Sequence, residues 1–260
     1  MRVLVTGANG QVGSEVVAEI ERRNAASAKG PPIEVLAAGH RELDVARRDQ
    51  VMEALFAFSP DVVVHLAAFT AVDRCEIERD LAFAVNALGT RNVVDAARAC
   101  QARVVYVSSD YVFDGESDRP YNEWDETHPV SVYGASKLAG EDELGSGDLI
   151  VRTSWLVGRV GANFAKTVIR MSQEKKPLRV VDDQHGCPTI ASDLAPVLLT
   201  LAFEGWRGCV HVTNQGPTTW FEFAREVVGL AGGDPSAVEA ITTAQLDPPR
   251  EAVRPMNSVL

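Results

Sequence analysis

Within the ten residues VYGASKLAGE (132–141), Tyr133 and Lys137 stand four positions apart, so on a helix they share one face. A tyrosine so placed can hand a proton to an oxygen that is gaining negative charge. Free tyrosine has a pKa of about 10, and a nearby ammonium lowers the cost of the phenolate left behind. The chemistry in view is carbonyl reduction, in which hydride reaches carbon and a proton reaches oxygen. Tyr-x-x-x-Lys also falls by chance on many surface helices. The pair therefore needs a cofactor and a polarised carbonyl beside it before it means anything.

The cofactor side is written at the start of the chain. VTGANGQVG (5–13) puts Gly7, Gly10 and Gly13 on a Gly-x-x-Gly-x-x-Gly spacing between an apolar run and a helical pattern. Glycines there let backbone N–H groups and a helix N-terminus approach a pyrophosphate. The competing reading is a plain strand-to-helix turn, and the spacing is one residue longer than the usual Gly-x-Gly-x-x-Gly between its first two glycines. The second apolar run ends in AAGHRELDV (37–45). His40 and Arg41 suit a 2′-phosphate where an acid would suit a free ribose hydroxyl, so NADPH is expected, with NADH the lesser alternative. Asp44 either accepts from the adenine amino group or caps the helix that begins near 47. In HLAAFTAVD (65–73), small Ala67 and Ala68 let backbone pass close to a cofactor, and Thr70 can reach toward a substrate.

These residues need strand ends and helix starts to hold them. Apolar runs rich in β-branched residues at 2–6, 33–38, 61–67, 103–109 and 148–154 read as strands covered on both faces. Helical patterns lie between them at 11–24, 47–58, about 76–101 and 133–145. The alternation predicts an α/β fold, a Rossmann-type doubly wound parallel sheet, with residues 1–155 as the dinucleotide-binding domain. NAASAKGPP (24–32) reads as a surface loop within it. Helical candidates at 161–175, 191–204 and 219–231, with strand-like pieces at 178–183 and 209–214, predict a smaller substrate lobe. That lobe spans mainly 156–260, is interleaved with the first domain and shows little periodicity after 237.

Bulk properties narrow the partners. Hydrophobic residues make up 46% and charged residues 23%, the balance of an ordinary globular chain. The 25 basic and 36 acidic residues give a formal charge of −11, which argues against nucleic acid or an anionic membrane as main partner. An anionic substrate would need a local cluster of donors. Cys75, Cys100, Cys187 and Cys209 are scattered, which fits a reducing compartment better than zinc or disulfides. The apolar start of MRVLVTGANG is too short for a signal peptide and no run approaches about 18 apolar residues, so a cytoplasmic location is expected.

The glycine turn, Ser109 at the end of RVVYVSS (103–109) and Tyr133-x-x-x-Lys137 together resemble an extended short-chain dehydrogenase/reductase. Further strings, GANGQVGSE, AAFTAVDRCE, SSDYVFDG, YGASKLAGE, RTSWLVG, NFAKTVIR, DDQHGCPT and RPMNSVL, resemble in order the stretches of the dTDP-4-dehydrorhamnose reductases. The resemblance implies reduction of the C4 ketone of dTDP-4-dehydro-6-deoxy-L-mannose to dTDP-L-rhamnose. Tyr133 would donate the proton, Lys137 would support it and hold the nicotinamide ribose, and Ser109, selected over Ser108, would orient the carbonyl oxygen. Gln11, Val12, Val45 and Phe69 would join the cofactor set.

On the substrate side the resemblance implies Asp110 and Tyr111 at the sugar, and Trp155 as a flat face for it or as core. Asn163, Lys166 and Arg170, on helical spacing, and Arg254 would meet the substrate diphosphate or stand as ordinary surface residues. DDQHGCPT would shape the sugar-nucleotide lobe, with His185 outside the chemistry. A homodimer is compatible with the family. Glu15 alone makes no site for the metal that bridges some relatives' dimers, so no metal is expected. Relatives generally continue past RPMNSVL with another helical segment, so contacts from it are expected to be altered or absent. The alternatives are a 4-ketoreductase for another dTDP-deoxysugar and a non-catalytic subunit like the β-subunit of methionine adenosyltransferase. Intact Ser109, Tyr133 and Lys137 weigh against the second.

Overall fold

The structure, a computed structural model, describes residues 1–26 and 31–260. It begins with β1 (Arg2–Thr6), α1 (Gln11–Ala26), β2 (Glu34–Ala38), α2 (Arg48–Phe58) and β3 (Val62–His65). Next come α3 (Val72–Ile77), α4 (Arg79–Phe83), a π-helical turn at Ala84–Leu88, α5 (Gly89–Ala99), β4 (Arg103–Ser109), α6 (Val132–Glu141) and β5 (Leu149–Thr153). The remainder supplies β6 (Leu156–Val157), α7 (Phe164–Gln173), β7 (Leu178–Val181), β8 (His185–Gly186), β9 (Thr189–Ile190) and α8 (Ala191–Glu204). It closes with β10 (Gly208–His211), β11 (Thr218–Thr219), α9 (Trp220–Leu230) and β12 (Val238–Ile241).

Six strands form one sheet in the order β10-β5-β4-β3-β1-β2, every neighbour pair parallel. Because both faces are covered, the strands are apolar throughout. Val3, Val5, Val64, Val105 and Val151 pack toward α1 and α8, while Leu4, Val63, Val104 and Tyr106 pack toward α2 and α5. This is the Rossmann-type doubly wound sheet expected. A third core joins α7 and α9 to the parallel pair β7–β12 through Val168, Leu178, Val180, Ala224 and Val228. The late segments are stitched together by backbone. His185 N–H donates to Met256 O and Ser258 N–H to His185 O, both at 2.8 Å, while Tyr121 N–H donates to Val259 O at 2.8 Å. DDQHGCPT and RPMNSVL are thus two halves of one structural seam.

Several boundaries differ from the sequence reading, each for a local reason. Asn24 to Ala26 of the expected 24–32 loop belong to α1, with Asn24 exchanging side-chain hydrogen bonds with Ile33, and residues 27–30 lie outside the described residues. The third strand stops at His65 because the N–H groups of Leu66 and Ala67 turn to the Thr6 hydroxyl, at 3.1 and 3.2 Å. The helix expected over 76–101 is four pieces: the chain bends at Glu78 and widens into the π-helical turn that carries Asn86 inward. The helix expected over 133–145 ends at Glu141, where that side chain leaves for Arg152. Asp44 is not a helix cap: α2 starts at Arg48 after Arg47, and the Asp44 carboxylate accepts from Ala46 N–H at 3.0 Å.

Candidate active site

A cavity of about 710 Å³ opens at the carboxyl ends of the strands, where the sheet order reverses between β1 and β3. Open α/β sheets bind their ligands at this switch point. One wall is the turn between β1 and α1. Gly7 has φ +63°, and a Cβ there would lie 2.7 Å from Ala67 N, so a side chain at Gly7 would collide with the end of β3. The first turn of α1 faces the same space through Gln11, Val12 and Gly13, alongside Gly10. His40, Asp44 and Val45 line the cavity from the end of β2, and Ala67, Ala68, Phe69 and Thr70 from the end of β3. Arg41 is exposed beside them and does not line it.

Tyr133 and Lys137 stand on the opposite wall. Ser131 caps α6 by accepting from Gly134 N–H at 3.1 Å, which fixes where the helix starts. Gly134 lets that first turn lie directly on the Tyr111 carbonyl, since a Cβ there would overlap it. Close approach then drives Lys137 inward. It is 2% exposed, donates to Val107 O at 2.8 Å and lies 4.0 Å from the Tyr106 ring centroid. Burial pulls the Lys137 ammonium down to about 7, with Glu141 pushing it back up. Burial pushes the Tyr133 phenol well above its ordinary range, opposed by the Ser109 side chain. The tyrosine is therefore an acid that holds its proton until a developing oxyanion takes it, a nearby cation easing the loss by stabilising the phenolate.

The two serines after β4 divide. Ser108 lines the cavity with its hydroxyl buried and unpartnered. Ser109 donates to Asp110 Oδ1 at 2.9 Å and accepts from Tyr111 N–H at 3.2 Å. Asp110 is buried, which pushes its carboxyl up to about 6, and one of its oxygens lacks a protein partner. Tyr111 packs edge-on to Tyr133, with ring centroids 5.5 Å apart, and Arg254 sits 6.0 Å from the Tyr111 centroid while donating to Asp73 at 2.8 Å.

The other substrate-side candidates lie further out. Trp155, at φ +45°, stacks on Trp220 with centroids 3.6 Å apart. Asn163 caps α7 and donates to Gln11 Oε1 at 3.0 Å, tying the glycine turn to the segment after β6. Lys166 spends its ammonium on the carbonyls of Arg159 and Gly161, and Arg170 pairs with Glu174 at 3.8 Å. None of these four lines the cavity.

The structure adds residues that sequence reasoning passed over. Buried Asn86 accepts from Phe69 N–H at 2.7 Å and donates to Phe69 O at 3.0 Å and to Ser136 Oγ at 2.9 Å. One side chain thus joins the loop after β3 to the helix that carries Tyr133 and Lys137. Beneath them, Thr6 donates to His65 Nδ1 at 2.7 Å, because its oxygen already accepts from Leu66 and Ala67. His65 Nε2–H donates to Thr90 at 3.1 Å, since that hydroxyl donates to Asn86 O at 2.7 Å. Burial first, and then Lys137, hold the His65 imidazole neutral, at about 3. In the sequence Asn86 is a lone amide among apolar residues of a helical stretch, which was the one available signal.

The family model described as "RmlD substrate binding domain" matches residues 1–260. The chain belongs to that family. A dTDP-4-dehydrorhamnose reductase of Streptomyces griseus is 42% identical over 268 residues, covering 100% of this chain and 85% of that one. A dTDP-4-keto-6-deoxy-D-glucose reductase of Streptomyces niveus is 38% identical, covering 92% and 82%. The crystal structure of a Bacillus anthracis dTDP-4-dehydrorhamnose reductase in complex with NADP superposes with a TM-score of 0.92 at 37% identity, covering 100% and 89%. Within this RmlD-family chain, no cluster of three or more His, Cys, Asp or Glu able to hold a metal occurs among the described residues. No helix among them is long and apolar enough to cross a membrane.

Proposed function

We propose that this chain reduces the C4 ketone of dTDP-4-dehydro-6-deoxy-L-mannose to dTDP-L-rhamnose, using NADPH. One observation carries the reading: Tyr133 and Lys137 form a wall of the same cavity that the glycine turn opens. The turn suits a dinucleotide: side chains at Gly7 and Gly13 would collide with the backbone of Ala67, Gly7 and Ala8, so glycine keeps it tight enough to present the start of α1 to the cavity. When bound, NADPH supplies the hydride.

The chain's own residues do the rest. Tyr133 gives its proton to the C4 oxygen as charge develops there. The phenolate left behind is costly in a buried setting, and the Lys137 ammonium offsets that cost once it turns from Val107 O toward the cavity. Ser109 orients the carbonyl oxygen by exchanging its bond to Asp110 for one to the substrate. His40 reaches the cavity at the ribose end and Arg41 stands nearby, which favours the 2′-phosphate. The first acid after β2, Glu42, is exposed and lies near Gly39. Arg254, held by Asp73 beside Tyr111, is assigned to the substrate diphosphate.

The Streptomyces niveus relative makes a second sugar worth testing, since the same machinery serves any C4 ketone of this class. Purified protein is supplied with NADPH and either dTDP-4-dehydrorhamnose or dTDP-4-keto-6-deoxy-D-glucose, and products are identified by NMR. Stoichiometric NADPH oxidation with dTDP-rhamnose as product supports the reading. NADPH binding without turnover of that sugar, or faster turnover of the other, overturns it.

A further inference from the structure

α6 carries a second buried charge that the reduction itself does not use. Glu141 follows Lys137 by four residues, one turn along the same face, and is also buried. Its carboxylate does not go to the lysine. Both oxygens are taken by Arg152 on β5, through Nη2 at 2.7 Å and Nε at 3.0 and 3.3 Å. The lysine bonds Val107 O instead and is left able to turn.

The groups packed around Lys137 are neutral apart from Glu141: His65 on β3, Tyr106 on β4 and Tyr133 on α6. Around Arg152 stand Glu123, Cys209 and the Phe113 ring, with His211 beyond, its N–H bonded to Glu123. A carboxylate one turn from a buried lysine would ordinarily capture it as a salt bridge, and a captured lysine could not serve the cavity. A carboxylate removed altogether would leave the ammonium without an opposing charge in a site that disfavours it.

We propose that the Glu141–Arg152 pair is a positioning device for Lys137: Glu141 keeps the lysine charged inside the protein, and Arg152 keeps Glu141 from capturing it. The direction of the Glu141 influence on the lysine agrees. The catalytic consequence, an alkaline limit of turnover set by this pair, rests on the reductase reading; the charge of Lys137 does not.

The test separates the two. The chain has five lysines, so ¹³C-labelled lysine gives a resolvable NMR titration, with Lys137→Met assigning the signal. In Glu141→Gln, whose amide oxygen still accepts from Arg152, the Lys137 midpoint should fall by about half a pH unit or more. The double variant Glu141→Gln/Arg152→Met, which removes both buried charges together, should show a fall in the same direction, smaller because the arginine charge leaves with the carboxylate. Arg152→Lys, which keeps the pairing, should leave it in place. The alkaline limb of kcat should move with the midpoint, whereas a merely structural role would lower activity equally at every pH. A midpoint within about 0.2 units of the parent in both Glu141 variants overturns the proposal. A shifted midpoint in a protein that does not turn over dTDP-4-dehydrorhamnose would instead overturn the substrate assignment and leave the role of the pair standing.

Discussion

α6 and α7 are each ten residues long, and each opens on a polar side chain that accepts a backbone N–H. Ser131 accepts from Gly134 and Asn163 from Lys166. Each carries one lysine, yet Lys137 is 2% exposed while Lys166 stays at the surface on two loop carbonyls. The difference lies in bulk. Gly134, Ala135, Ser136, Ala139 and Gly140 let the α6 backbone press onto its neighbours. α7 places Phe164, Val168, Ile169 and Met171 against α9, and those side chains hold its backbone away. A lysine becomes chemically distinctive where its helix can lie against the end of a strand, and that depends on the small residues around it more than on the lysine.

The contrast can be broken at the lysine first. Lys137→Met should lower kcat by about 10²- to 10⁴-fold with the fold retained by circular dichroism, because the tyrosine loses the cation that offsets its phenolate. Gly134→Ala attacks the approach itself. The added methyl overlaps the Tyr111 carbonyl, so α6 must shift, with a loss of about 1–3 kcal/mol in urea unfolding and about 10-fold or more in kcat.

Asp110 probes the same burial through pH. Its folded pKa is raised to about 6 against about 3.9 unfolded, so the folded state binds the extra proton between those values. Its contribution to stability is present below about pH 4 and is lost as pH rises through about 6. Asp110→Asn should therefore stabilise the protein by about 1–3 kcal/mol at pH 7 and by little at pH 4, as read by denaturant midpoints. Lys166→Met, the α7 counterpart, should change kcat by less than about twofold and stability by no more than about 0.5 kcal/mol. An effect as large as that of Lys137→Met would erase the distinction between the two helices.

Most of the frame was legible because continuous β-branched runs have few uses other than a strand covered on both faces. The glycine turn was legible because its first glycine occupies a left-handed, close-packed position. The breaks in 76–101 were not, since the apolar period survives a π-helical turn while the backbone changes direction. Asn86 was passed over within a helical stretch, and only the fold brings Phe69 and Ser136 to its amide. Alternation along β4 could say that Ser108 and Ser109 face opposite ways, but not which would meet the cavity. The structure puts Ser108 on its wall and Ser109 against Asp110. Lys166 and Arg170 showed the limit of charge patterning, since helical spacing places basic residues on a face without saying what that face meets.

Tyr133→Phe tests the central claim most directly, because it removes one oxygen and leaves the ring against Tyr111. With NADPH and dTDP-4-dehydrorhamnose, the variant should bind cofactor as tightly as the parent and fold normally while kcat falls by about 100-fold or more. A folded Tyr133→Phe protein that forms dTDP-rhamnose within about threefold of the parent rate would contradict the assignment of Tyr133 as the proton donor.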